Sequence, residues 1–100
     1  MLMLMIEHPP ATPLVILAPE ELAYPDAGRF GAHLRALPAE GELVIDLRNV
    51  GFMDSCGLRT LLVERGRRQA AGGTISVCNA SAHLNRLFQI TGLRDALPNV

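Results

Sequence analysis

The chain has 100 residues, 49% of them apolar, with two cysteines and a formal net charge of −1. That is enough apolar material for one hydrophobic core without metal or disulfide staples, and the near-neutral balance excludes the electrostatic footprint of a general nucleic-acid or anionic-membrane binder. The opening run Met1-Leu2-Met3-Leu4-Met5-Ile6 lacks a cationic lead and a cleavage site and is ended by Glu7, too short for a signal peptide or a membrane span. A cytoplasmic, reducing setting is therefore expected for Cys56 and Cys78, as free thiols rather than a disulfide or zinc site.

Residues 1–7 and 14–18 read as strands on either side of the turn His8-Pro9-Pro10-Ala11-Thr12-Pro13, and their short separation predicts an antiparallel pair. From Asp26 the apolar residues Ala27, Phe30, Leu34 and Leu37 recur at helical spacing, with Pro25 and Asp26 as start signals and Pro38 as a stop. The run Leu43-Val44-Ile45-Asp46-Leu47-Arg48 alternates, which predicts a strand covered mainly on one side, with Val44, Asp46 and Arg48 on the other face. A second helix is expected from about Gly57, burying Leu58, Leu61 and Leu62 and turning Arg59, Glu64, Arg65 and Arg68 to water, until Gly72-Gly73 ends it. Thr74 to Cys78 repeats the one-sided strand pattern, and Ser81 caps a third helix carrying Leu84, Leu87 and Phe88, closed by Gly92.

This order predicts right-handed crossovers and parallel pairing among the last three strands. The expected architecture is α/β: one domain over residues 1–100, a mixed open sheet of about four strands with helices mainly on one face. Its strand-to-helix loops gather at the carboxyl edge, where α/β proteins place their sites.

At that edge lies the polar turn Phe52-Met53-Asp54-Ser55-Cys56-Gly57-Leu58. The longer stretch Val44-Ile45-Asp46-Leu47-Arg48-Asn49-Val50-Gly51-Phe52-Met53-Asp54-Ser55-Cys56-Gly57-Leu58 resembles the signature of STAS domains. Gly72-Gly73 and Leu87-Phe88-Gln89-Ile90-Thr91-Gly92-Leu93 extend the likeness to the anti-sigma-factor-antagonist branch. The resemblance covers residues 43–93 well and implies a phosphorylatable serine, Ser55, opening the second helix. It also implies a partner, a serine kinase of histidine-kinase-like ATPase fold that holds a sigma factor inactive, and a metal-dependent phosphatase that resets the switch. The chain would then be a cytoplasmic substrate and ligand, without catalytic residues, cofactor, metal, nucleic-acid partner or direct membrane binding.

The residues expected to meet the partner are Asp54, Ser55, Cys56, Gly57 and Arg59. Where this family carries Gly-Glu-Leu-Asp after the second strand, the chain has Pro19-Glu20-Glu21-Leu22, which leaves Glu20, Glu21 or Asp26 as the second acidic site residue. The chain stops at Val100, where relatives usually add a further helix. A serine at a helix N-terminus stands near unpaired amides and the positive helix end, so a phosphate there is tolerated.

Plainer readings stand beside these. Ser55 can be a simple N-cap, and Asp54 a capping or first-turn acid. Arg59, Arg65, Arg67 and Arg68 can form a solvated helix face or meet an acidic partner. Phe52, Met53, Leu58 and Leu62 read as core and loop anchors, and His8, His33 and His83 share no metal-ligand spacing. Competing roles are a STAS regulatory subunit of a transport ATPase or stress-signalling assembly, a thiol enzyme using Cys56, or a redox link between Cys56 and Cys78. No Gly-rich phosphate loop supports nucleotide binding.

Overall fold

The computed structural model describes residues 13–100. Their elements are β1 (Leu14–Leu17), β2 (Glu21–Leu22), α1 (Asp26–Arg35), β3 (Glu42–Asp46), β4 (Phe52–Met53), α2 (Ser55–Ala70), β5 (Thr74–Cys78) and α3 (Ala82–Ile90). The expected strand over residues 1–7, the turn that follows it and His8 lie outside the described residues.

β1, β3 and β5 form a sheet in that order, parallel throughout, running from Leu14 beside Leu43 to Leu17 beside Asp46, and from Glu42 beside Thr74 to Asp46 beside Cys78. A helix lies between each pair of consecutive strands of this sheet, as the strand–helix–strand order requires of parallel neighbours. The α/β architecture expected from the sequence is thus present. β2 and β4 pair separately, Glu21 beside Phe52 and Leu22 beside Met53. The Gly51 N–H donates to the Glu20 carbonyl at 2.8 Å and the Asp54 N–H to the Leu22 carbonyl at 3.3 Å, extending that ladder. Phe52 and Met53, expected in a turn, are therefore strand; two residues are too few for a periodicity to announce them.

One cluster forms the core. Leu43, Ile45, Leu47, Ile75 and Val77 of the strands and their ends meet Phe30 and Leu34 of α1, Leu61 of α2, and Leu84 and Phe88 of α3. Each fully buried leucine among them contributes about 1.5–3 kcal/mol of transfer free energy. The helix ends follow their punctuation: Ser81 Oγ accepts the Leu84 N–H at 3.1 Å at the start of α3, and Gly72 and Gly92 take φ +81° and +74° after α2 and α3.

Two expectations are corrected. β3 is covered on both faces, because Val44 and Asp46 are buried together with the core-facing set, and on β5 Ser76 is buried while Thr74 is exposed and Cys78 half-buried. Val44 lies between Val15 and Ser76 on neighbouring strands, so a central strand is shielded by its own sheet. In α2, Glu64 and Arg68 are not turned to water; they are 2% and 1% exposed, whereas Leu62 is at the surface. Glu64 Oε2 accepts from Arg68 Nε at 2.9 Å and from Arg67 Nη2 at 2.8 Å. The guanidinium groups then donate across to the end of α1 and the turn after it, Arg67 Nη2 to the Leu34 and Leu37 carbonyls at 2.8 and 3.1 Å and Arg68 Nη2 to the Pro38 carbonyl at 2.8 Å. Carbonyls at a helix C-terminus lack partners within the helix, and these arginines supply them. The apparent solvent face of α2 is, at this end, the clasp that holds α1.

Candidate functional site

Asp54 stands where β4 turns into α2. It is the N-cap, with extended backbone at φ −113° and ψ −171°. Its Oδ1 accepts the N–H groups of Cys56 at 2.9 Å and Gly57 at 3.1 Å, and its Oδ2 accepts the Tyr24 N–H at 3.2 Å. One carboxylate thus closes the helix and ties it to the turn between β2 and α1. Desolvation pushes the Asp54 carboxyl up, but the N–H groups of Gly57, Tyr24 and Cys56 together outweigh it and hold it below the usual carboxylate range.

Ser55 is the first residue of α2 and is exposed. Of the two capping readings, the geometry favours Asp54: the Ser55 hydroxyl enters no hydrogen bond among the described residues. The expectation of free amides for a phosphate needs correcting, since the Asp54 carboxylate already holds those of Cys56 and Gly57. A group added to Ser55 therefore projects outward.

Gly57 is buried against β2. A Cβ there would collide with the Leu22 carbonyl oxygen and lie 2.9 Å from both the Leu22 carbonyl carbon and Met53 Cγ, so the close approach of α2 to β2 requires glycine. Cys56 and Arg59 are exposed on the first turns of α2. Tyr24, whose N–H is held by Asp54, is 79% exposed, and Phe52 is 52% exposed. Phe52 is thus not the anchor the sequence suggested; Met53, its neighbour in β4, takes the buried side. Tyr24 carried no sequence signal, whereas the alternation of Phe52 and Met53 was the available clue to an outward aromatic.

The acidic candidates are dispersed. Glu20 and Glu21 are exposed beside Asn49, Gly51 and Phe52. Asp26 pairs with Arg29 at 3.0 Å on α1. Among the described residues no hydrogen bond or ion pair joins these three to Asp54 or Ser55.

Sequence reasoning also missed a cluster at the carboxyl ends of β3 and β5. Asp46 Oδ2 accepts Arg48 Nε at 2.8 Å and Nη2 at 2.6 Å, and Oδ1 accepts the Arg48 N–H at 3.0 Å and Asn79 Nδ2 at 3.1 Å. The Arg48 guanidinium is the main cause holding the Asp46 carboxyl down at about 2, against the opposing effect of burial. Burial and then the Asp46 carboxylate push the Cys78 thiol up. Asn79 turns the chain with φ +58°. The Asp-x-Arg spacing at the end of β3 was the legible sign of this cluster, which ties two strand ends together. Cys56 and Cys78 are both free thiols. Among the described residues no group of three metal-ligating side chains occurs, and no helix is long and apolar enough to cross a membrane.

The sequence of residues 6–98 matches the family described as Mlab, STAS domain. Similar proteins include the anti-sigma-B factor antagonist of Bacillus subtilis, 39% identical over 56 residues, which are 56% of this chain and 51% of that protein. The anti-sigma F factor antagonist of Paenibacillus polymyxa is 34% identical over 56 residues, 56% of this chain and 48% of that one. The chain thus aligns with about half the length of each of these relatives. Among solved structures, a sulfate transporter family protein from Wolinella succinogenes superposes with a TM-score of 0.73 at 17% identity, covering 85% of this chain and 70% of the other. The murine Slc26a9 anion transporter gives 0.71 at 17% identity over 81% of this chain and 14% of its own. At these identities the structural likeness concerns the fold alone.

Proposed function

The chain belongs to the STAS domain family, and on that premise we propose that it is an anti-sigma factor antagonist switched by phosphorylation of Ser55. Unmodified, it binds an anti-sigma serine kinase of histidine-kinase-like ATPase fold and thereby releases a sigma factor. The kinase phosphorylates Ser55 and ends the binding, and a metal-dependent phosphatase restores it. In this role the chain is a cytoplasmic substrate and ligand, not a catalyst. The antagonist relatives support the role, and the exposed Ser55 hydroxyl, left without structural duty because Asp54 does the capping, is the observation that carries it.

The physical logic is local. A serine that caps nothing can gain a phosphate without costing the helix its start. The added group brings nearly two negative charges and three strong acceptors beside the Asp54 carboxylate, on the face formed by exposed Cys56 and Arg59; Gly57, expected to meet the partner, is instead buried against β2. A partner fitted to a neutral hydroxyl there meets an uncompensated anion, and a misplaced charge at an interface costs several kcal/mol, orders of magnitude in affinity.

The test captures partners from the extract of the cells that make the protein, using the native chain, Ser55→Ala and Ser55→Asp. A kinase-fold protein retained by the native and alanine forms but not by the aspartate form is expected, with the same ranking by calorimetry on the purified pair and transfer of phosphate from ATP to Ser55. Equal affinity of all three forms would sink the proposal.

A further inference from the structure

We propose that Arg59 receives the phosphate of phosphorylated Ser55, so that the modification both adds an anion and withdraws a cation from the docking face. This rests on the reading of Ser55 as the phosphorylated residue. Ser55 and Arg59 are both exposed on α2 and stand four residues apart, the spacing that puts two side chains on one helix face with Cβ atoms about 6 Å from each other. The anion precedes the cation along the chain, the favourable order for such a pair.

The usual place for a phosphate at a helix start is largely taken. The Cys56 and Gly57 amides are held by Asp54, whose carboxylate also repels a second anion from the helix end. The phosphate is therefore turned along the flank of the helix, where Arg59 stands. Among the described residues Arg59 makes no ion pair or hydrogen bond, whereas Arg67 and Arg68 of the same helix are committed to Glu64. Of the other charged groups on elements packed against the start of α2, Glu21 of β2 and Asp54 are anionic and Arg29 of α1 is paired with Asp26. Arg35 of α1 reaches back to Gly31 and lines a cleft with Arg59 and Thr60, but of these two cations only Arg59 stands four residues from Ser55 on the same helix. A guanidinium matches phosphate through two parallel N–H donors, which a lysine in its place would not offer.

In the unmodified chain Arg59 is free to meet an acidic group of the partner; after phosphorylation it is masked from within. One modification then changes two contacts, a neutral hydroxyl becoming an anion and a free cation becoming a neutralised one.

The experiment uses the full chain with phosphoserine installed at position 55 during translation, so it does not depend on any kinase recognising Ser55. The second ionisation of the phosphate is followed by phosphorus NMR against pH in the native background, in Arg59→Gln, in Arg59→Lys and in Arg65→Gln as a control on the same helix. The native form is expected to ionise at a pH lower than Arg59→Gln by roughly 0.15–0.4 unit, with Arg59→Lys in between and Arg65→Gln unchanged. The difference should shrink in about 1 M salt, where the Debye length is about 3 Å. Superimposable curves for the native and Arg59→Gln proteins, or an equal shift in Arg65→Gln, overturn the proposal. Failure of a kinase to modify Ser55 would instead count against the switch itself, so the two outcomes are separable.

Discussion

The same substitution at two positions of α2 should change stability in opposite directions. Gly57 and Gly66 are both helical glycines, and exchange to alanine in an open helix position stabilises by about 0.5–1 kcal/mol through lost unfolded-state entropy and better helix propensity. Around Gly66 no atom lies within 4 Å of the new Cβ, so Gly66→Ala should realise that gain. At Gly57 the new methyl overlaps the Leu22 carbonyl oxygen and sits 2.9 Å from Met53 Cγ. A backbone carbonyl cannot rotate away as a side chain can. α2 must therefore withdraw from β2, which loosens the Asp54 N–H to Leu22 carbonyl bond and the packing of buried Met53. Overpacking of this kind costs about 1–3 kcal/mol, which exceeds the propensity gain. With roughly 4–8 °C of Tm per kcal/mol for a domain of this size, Gly57→Ala should melt about 4–24 °C below the native protein and Gly66→Ala a few degrees above it. Thermal and urea unfolding followed by circular dichroism reads both. A Gly57→Ala protein as stable as Gly66→Ala would refute the close approach of α2 to β2 on which the placement of Ser55 depends.

Removing Glu64 leaves the Arg68 guanidinium, 1% exposed, without its anion. Glu64→Ala should therefore cost about 3–5 kcal/mol in urea unfolding, while Arg65→Ala, on the same helix with no ion pair among the described residues, should stay within about 0.5 kcal/mol. The Asp46 carboxyl is held down at about 2, below its ordinary 3.8, so its contribution to stability is fully present above pH 3.8 and is lost as pH falls through about 2. The Tm gap between the native protein and Asp46→Asn should accordingly be constant from neutral pH to about pH 4 and close between there and pH 2; a gap that persists at pH 2 would show that the carboxylate charge is not what Arg48 reads.

Hydrophobic spacing and punctuation were enough to place α1, β5 and α3 nearly to the residue. Ala27, Phe30 and Leu34 mark a helix face, Thr74–Cys78 follows Gly72-Gly73, and Ser81 is a cap whose hydroxyl finds the Leu84 N–H. The turn carrying Ser55 was legible too, as a polar interruption between an apolar strand and an apolar helix. Its internal division of labour was not. Asp54 and Ser55 are both good capping residues, and only the arrival of the Tyr24 N–H from 30 residues upstream, together with the amides of Cys56 and Gly57, assigns the cap to Asp54 and leaves Ser55 outside. The strands β2 and β4 went unread because two residues have no period.

Local chemistry along the chain was thus sufficient to settle which segments are helix or strand, and that the long strands of the described chain run parallel, because those outcomes depend on neighbours three or four residues away and on the short reach of the connections. The tertiary structure decided which polar groups go inside. Glu64 and Arg68 look like solvent residues until Glu64 accepts from Arg67 and Arg68 and the carbonyls at and after the end of α1 accept the remaining arginine donors, and Asp46 looks exposed until Arg48 and Asn79 close over it. Burying a charge is tolerable only when its partners are in place, and those partners are brought by the fold from more than thirty positions away as well as from next door.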